Sequence, residues 1–525
     1  MDTKALRQKI LDLAIRGKLV PQDPSDEPAS VLLERIREQK KQMVKEGKLK
    51  AKDIMDDTII FVGEDNLHYE KFADGTVKCI EEEIPFEVPE GWEWTRLQSI
   101  TSILTDGTHK TPTYSEDGYI FLSSKNVTSG KIDWSNIMYI PESLHQELYS
   151  RLAPKIGDIL LAKNGTTGVA AIVDREEVFD IYVSLALIRV VENIIDPLYI
   201  LNVIESSFAQ DYFSSSLKGI GVPNLHLEHI RNTLIPIPPC LEQARINSRT
   251  DMLLPLAGQI EENREELKRL VSFLKSKILD LAIRGKLVPQ DPNDEPASVL
   301  LERIRTEKEE LIKQGKIKRG KKESIIFRGD DNSYYLRTGE VEESLENWRF
   351  DDLPETWEIC CLYELCDYGY CISVNTEDIA EDAWILDLED IEKDTGTVLK
   401  KVAKAQRNSV STKHKFHSGQ VLYSKLRPYL NKVVLSDADG YCTSEILPLE
   451  FKNCVLPEYA RYYLMSGTFI AYANHCSYGV KMPRLGTTDG KKAIFSLPPL
   501  SEQKRIVETI DFFFMQLNKI SEALA

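Results

Sequence analysis

Two short stretches have residue types suited to holding a polyanion and reading its edges. Lys163-Asn164-Gly165-Thr166-Thr167 and Ser424-Lys425-Leu426-Arg427-Pro428-Tyr429 each follow a strand-length apolar run. A cation suits a phosphate, and an amide, hydroxyl or guanidinium suits a base edge. Lys163 and Lys425 align and read as phosphate clamps, with Asn164 and Arg427 at base edges and Thr166 and Tyr429 beside them. TDGTHKTP (105–112) adds Thr108, His109, Lys110 and Thr111, and a further loop adds Ser124, Lys125 and Asn126. Near the second stretch lie the compact basic patch Lys413-His414-Lys415 and a loop carrying Lys481 and Arg484. That loop, 478–485, answers 219–225, which carries Asn224. Taken singly, each stretch serves equally well as an ordinary polar loop, and the histidines need no catalytic role.

Bond-making chemistry is not written in the chain. There is no NPPF or NPPY motif for methylating a base amine, and no GxGxG loop follows a strand. Gly486-Thr-Thr-Asp-Gly490-Lys491-Lys492 has the wrong spacing and ending for a phosphate loop. The acidic run from Asp387 to Glu392 reads as a solvated strand end, since such runs are usually surface. The nine cysteines form no paired CxxC, and no histidine pair completes a zinc pattern around Cys360, Cys361, Cys366 and Cys371. No catalytic and no metal-binding residue is expected. Reduced thiols fit a cytoplasmic protein.

The elements that position these loops come twice. Lys9 to Arg37 and Lys277 to Arg305 differ only at Ser25 and Asn293. In the first copy, Leu6, Ile10 and Leu13 share one face of a helix over 2–19, ended by Gly17 and Pro21. A second helix runs from about Pro28 to Glu46, with Val31, Leu32, Ile36 and Met43 inward and Gly47 closing it. Residues 58–85 suggest a hairpin, and FVGEDNLHY (61–69) is answered by FRGDDNSYY (327–335). Globular stretches follow each copy, framed by PEGWEW and IPIPP, then by PETWEI and FSLPP. Their frames agree and the side chains between do not.

A second correspondence joins CLEQARI (240–246) to LSEQKRI (500–506). Together the two offsets make the last residue and the first near neighbours in the repeat. The chain reads as a ring of two repeats cut inside one helix, so its termini should meet in space. The intact copy of that helix, about 241–287, has Leu253, Ile260, Leu267, Leu274 and Leu281 seven apart. That period makes a narrow seam for an antiparallel partner, the cut copy 501–525 plus 2–19 with Phe513, Ile520, Leu6 and Leu13. Such a helix spans ~60 Å, a rigid spacer.

Length and charge bound the rest. A chain of 525 residues exceeds one core. A net charge of −17 argues against a free-standing basic DNA binder, though local patches remain open to it. No apolar run reaches a membrane span, and no membrane partner is expected.

With Pro238-Pro239-Cys240-Leu241-Glu242-Gln243 and Pro498-Pro499-Leu500-Ser501-Glu502-Gln503 each closing a variable globular region, the whole chain resembles the specificity subunit of type I restriction–modification enzymes. The arm LAIRGKLVPQDP resembles the version whose repeat is permuted to the N-terminus. The fold implied is α+β: two mixed α/β target-recognition domains joined by long antiparallel coiled-coil helices with pseudo-two-fold, circular-repeat symmetry. The expected divisions are an arm at 1–50, a hairpin linker at 51–85 and a first recognition domain at 86–240. A central repeat at 241–350, a second recognition domain at 351–499 and a C-terminal spacer helix at 500–525 complete them. The resemblance implies a non-catalytic subunit whose domains each read half of a bipartite site on double-stranded DNA. It implies docking of two methyltransferase subunits and of motor-nuclease subunits, with S-adenosylmethionine, ATP and Mg held by those partners and no cofactor here. Matched residues such as Leu32 and Leu300 are expected to dock the partner. The competing readings are a scaffold that docks two partner copies without reading DNA, and an enzyme acting on nucleic acid alone.

Overall fold

The computed structural model describes residues 2–127, 130–217, 223–315, 324–329, 331, 333–345, 353–407 and 410–524. Residues 219–222 of the loop 219–225, residues 330 and 332 of the second hairpin tip, and the terminal Met1 and Ala525 lie outside them. The chain forms two compact units, Met1–Asn263 and Arg264–Ala525. No helix among the described residues is long and apolar enough to cross a membrane.

In the first unit, helix Thr3–Ile15 starts where Asp2 accepts a hydrogen bond from the Ala5 amide. It stops at Gly17, φ +64°, where the Lys18 amide reaches back to the Leu13 carbonyl. A Cβ there would lie 2.4 Å from Cγ of Pro89, so both the turn and the close approach demand glycine. Helix Ala29–Lys45 buries Leu32 and Ile36 in the unit's main core, while Val31 stays exposed. Beyond it, Ile59–Val62, His68–Lys71 and Val77–Cys79 make a three-stranded antiparallel sheet, one strand more than a hairpin.

The body of the unit hangs from one antiparallel ribbon, Glu93–Arg96 against Leu234–Ile237. Its sheet orders Thr101–Asp106, Leu185–Val190, Ile159–Ala162 and Ala170–Ile172. A second sheet pairs Phe179–Ile181 parallel to Tyr119–Leu122, with Met138–Ile140 antiparallel beyond. His145 of helix Glu142–Arg151 holds Asp180 of that sheet at 2.7 Å. Ile159–Ala162 is buried at every position, because both its faces meet core clusters.

The second unit repeats the frame. Glu358–Cys361 pairs with Ile494–Leu497, and Val421–Ser424 lies between Val433–Leu435 and Ile446–Leu449. Gly440–Thr443 runs parallel to Trp384–Leu386, as Phe179–Ile181 does to Tyr119–Leu122. Here Lys413–Phe416 joins as a strand against Gly440–Thr443, where the first unit brings a helix. The patch Lys413-His414-Lys415 therefore lies in a sheet.

Helix Cys240–Ile283 belongs to both units and passes Pro255 unbroken. Its seven-residue apolar set is not its covered line. Ile260, Leu267 and Leu274 are 40%, 44% and 38% exposed, whereas Ala257, Val271 and Leu279 are buried. Helix Leu500–Leu524 shows the same displacement: Ile506, Ile510 and Leu517 are buried and Phe513 and Ile520 exposed. Polar side chains make part of the contact, at its rim as well as beneath it. Thr3 bonds Glu261 in the first unit; Arg264 reaches the Leu524 carbonyl and Lys275 reaches Asn518 in the second. A reading of apolar spacing alone misses such a line.

Candidate nucleic-acid interface

The first unit gathers several of the sequence-selected residues around one cleft of about 420 Å³. Asp106, His109, Lys163, Asn164, Asn224 and His226 line it. The strand Ile159–Ala162 ends at Lys163, whose amide donates to the Ser184 carbonyl at 2.8 Å. The Leu225 amide donates to the Lys163 carbonyl at 2.9 Å, which brings Asn224 against Asn164 as a β-bridge. The Asn164 Oδ1 is buried there with no hydrogen-bond partner among the described residues. His226 was not singled out in the sequence; its place two residues beyond Asn224 is the signal that could have found it.

Lys163 is no phosphate clamp. It is buried, and its Nζ donates to Oδ2 of buried Asp106 at 2.6 Å. That charge is spent inside the protein, where it fixes the end of one strand to the end of another. Asn126 is also withdrawn from solvent. Its Oδ1 accepts from the Ser123 amide and its Nδ2 donates to the Asp133 and Asn136 carbonyls, so it ties a loop. Thr108 is buried, its backbone bonded to Ile181 and Val183. The Ser124 amide donates to Ser184 Oγ, leaving the side chain half-buried. His109, Lys110, Thr111, Lys125 and Thr166 are exposed. The exposed cations and hydroxyls, with Asn164 and Asn224 behind them, are the groups that can meet a ligand.

The second unit builds the same corner with other side chains. The Lys425 amide donates to the Glu445 carbonyl and the Leu485 amide to the Lys425 carbonyl, both at 3.0 Å. Leu426 bridges Arg484 where Asn164 bridges Asn224. Arg427 has φ +50°, and its amide reaches the Pro483 carbonyl at 2.7 Å. Its Nε is buried without a hydrogen-bond partner among the described residues. Arg484 holds both Glu445 oxygens at 3.0–3.1 Å, and that carboxylate pushes its pKa further up. Lys425 is half-buried beside Cys371, whose thiol burial pushes up and Lys425 pulls back. Lys415, Tyr429 and Lys481 are exposed. Lys413 is buried, 3.8 Å from Asp387, and His414 meets the Ile446 carbonyl at 2.9 Å through Nδ1. Only Lys415 of that patch is available to an outside phosphate.

The acidic run is a strand end only partly in solvent: Glu389 and Glu392 are exposed. Asp390 is fully buried and bonded by Arg407, which also holds Asp387 at 3.2 Å and Glu389 at 3.0 Å. The charges of Asp387, Glu389 and Asp390 are matched internally. No group of three or more possible metal ligands occurs among the described residues.

The PPxxEQ motifs are fasteners. Trp92 Nε1 donates to Glu242 Oε2 at 3.0 Å and Trp357 Nε1 to Glu502 Oε2 at 2.9 Å. Gln22 and Gln290 of the two arms donate to the other oxygens at 3.1 and 2.5 Å. Gln243 and Gln503 donate to the carbonyls of Pro238 and Pro498. Arg245 meets Asp26 at 2.5 Å and Arg505 meets Asp294 at 2.6 Å. Burial pushes the Glu242 and Glu502 carboxyls above the usual range. The arms thus seat on their own units: Leu32 and Leu300 are 1% and 4% exposed and offer nothing to a partner.

The family description "Type I restriction modification DNA specificity domain" matches residues 89–269 and 354–524. The chain is 30% identical to the type I restriction enzyme EcoAI specificity subunit of Escherichia coli, across 98% of this chain and 90% of that one. It is 27% identical to the EcoEI specificity subunit of the same organism, across 99% and 90%. A chain solved in work on complex assembly and conformational transition of the type I R-M system superposes with TM-score 0.51 at 17% identity, covering 84% of this chain and 94% of that one.

Proposed function

We propose, because this chain belongs to the family of type I restriction–modification DNA-specificity subunits, that each of its two units reads one half of a bipartite site on double-stranded DNA. The observation that carries this is the corner at Lys163 and Lys425. The same backbone bonds, 2.8–3.0 Å long, hold different exposed or unpartnered polar groups in the two units. One frame with two sets of edge-reading groups fits two different half-sites. Among the expected contacts, His109, Lys110, Thr111, Lys125, Asn164, Thr166 and Asn224 belong to the first reader. Lys415, Lys425, Arg427, Tyr429 and Lys481 belong to the second. Footprinting the assembled complex tests the reading: two protected segments separated by a fixed gap are expected, and one contiguous target would sink it. Sequence-blind binding would favour a scaffold instead.

The spacing is set by the paired helices of a broken ring, an arrangement supported within each unit by Thr3 on Glu261 and by Arg264 on the Leu524 carbonyl. A version with its ends joined and a new opening in the 51–58 loop should keep target and gap; a changed gap would count against the ring. The chain supplies no catalysis. Two methyltransferase subunits bring S-adenosylmethionine, and motor-nuclease subunits bring ATP and Mg. Activity of the isolated chain with S-adenosylmethionine or ATP would overturn that assignment.

A further inference from the structure

The small three-stranded sheets carry a duplicated outward face that reading DNA does not use. In the first unit Ile59 and Phe61 are 39% and 38% exposed, and Tyr69 and Lys71 lie opposite them on the neighbouring strand. In the second, Ile325 is 44% exposed, and Phe327, Tyr335 and Arg337 occupy the same register. The rings stand at 5.9 Å and 26° in one copy and 5.8 Å and 26° in the other. Asp65 and Asp331 each accept from the tyrosine hydroxyl at 2.8 Å. Gly63 and Gly329 pack under those rings, where an added Cβ would come within 2.8 and 2.7 Å.

On the inner face Ile60 and Ile326 are kept, but the neighbouring strand differs. Glu70, paired with Arg96 at 2.8 Å, stands where the second copy buries Leu336. Divergence ordinarily spares the buried side and alters the wet one. Here a wet apolar–aromatic–cation face is kept while a buried partner changes. A shared occupant explains that inversion, and its presence in both units makes the occupant one protein bound twice. It is not DNA, because Glu64, Asp74 and Glu81–Glu83 border the first copy and Glu340, Glu342 and Glu343 the second.

We propose that each of these faces docks one copy of the methyltransferase subunit, through an apolar side chain of that subunit laid on the Phe–Tyr pair, with a carboxylate opposite Lys71 in the first copy. In the second, Arg337 is already held by Glu342 at 2.7 Å and stands 4.2 Å over the Phe327 ring. This rests on the specificity-subunit reading above. The methyltransferase fits better than the motor-nuclease for a geometric reason. Each sheet is packed on its reader through Ile60, Trp94 and Leu234 or through Ile326, Ile359 and Cys361. A protein seated there is held at a fixed angle to the bases being read, which modification within the site requires. Rings already fixed by Asp65 and Asp331 lose little freedom on binding.

The test is reconstitution of the full chain with the methyltransferase subunit of its own system, with stoichiometry read by mass photometry and affinity by titration. Wild type is expected to take two copies. Phe61→Ser or Phe327→Ser should each take one, and the double variant should weaken docking at least ~30-fold, as loss of an aromatic anchor does. Ile59→Lys with Ile325→Lys, which leaves both ring pairs in place, should do the same at a melting temperature close to that of wild type. Two copies bound undiminished by both double variants would overturn the inference and leave the reading standing. In a parallel reconstitution that adds the motor-nuclease subunit, loss of that subunit alone would overturn the choice of occupant. A wild-type chain that binds no methyltransferase would overturn the reading itself.

Discussion

Gly165 and Arg427 occupy the same left-handed turn after matched strands, at φ +81° and +50°. The first unit fills it with the residue that accepts this geometry freely. The second fills it with an arginine at a cost of roughly 1 kcal/mol. Arg427→Gly should raise thermal stability by about that amount and relax one position of the second half-site by ~1–3 kcal/mol. Melting curves and binding to a base-by-base substituted target read the two effects. Unchanged discrimination at every position would remove Arg427 from the reader.

Lys163 and Lys110 should separate in a salt titration. Lys163→Ala strands buried Asp106 and should cost ~3–5 kcal/mol of stability. Lys110→Ala should leave stability alone and lower the slope of log affinity against log salt by about 1. A Lys163 variant that is stable but binds with a shallower slope would restore that residue as a phosphate contact.

Glu242 and Glu502 give a pH signature with a defined sign. Burial raises both carboxyls in the fold above their unfolded values. Their contribution is therefore complete below the unfolded pKa, about 4.3, and fades as pH rises through the folded one. The stability of Glu242→Gln/Glu502→Gln relative to wild type should climb across that window and level off above it. A difference independent of pH would contradict the raised carboxyls.

Leu32→Ala and Leu300→Ala should each open a cavity and lose ~2–5 kcal/mol. Hydrogen exchange on the full chain should place each loss in the unit that carries the change. Wild-type stability with abolished partner docking would return these residues to the surface role first expected of them.

The frame was legible because it is written twice: the arms, the paired PPxxEQ and the strand-to-turn punctuation all survived comparison with themselves. The loops were legible by residue type and not by exposure. Nothing near Lys163 announces Asp106 as its counter-charge, and nothing near Asn126 announces the two carbonyls it ties. Lys413-His414-Lys415 reads as one basic patch because its strand partner, Gly440–Thr443, which turns Lys413 inward, is distant in sequence. The heptad of leucines misled because the covered line of that helix uses Thr3, Glu261 and Arg264, which no apolar count selects. Burial is a property of the other side of the contact, and a single stretch does not contain it.

Each reader's chain enters and leaves through one ribbon, Glu93–Arg96 beside Leu234–Ile237 and Glu358–Cys361 beside Ile494–Leu497. The insert is thus a cassette with adjacent plugs. A foreign cassette whose two ends meet the Trp–Glu fastener is expected to graft without disturbing the rest. New specificity can then arise by exchange of whole inserts, with the lineage of the rods and that of the readers free to part company.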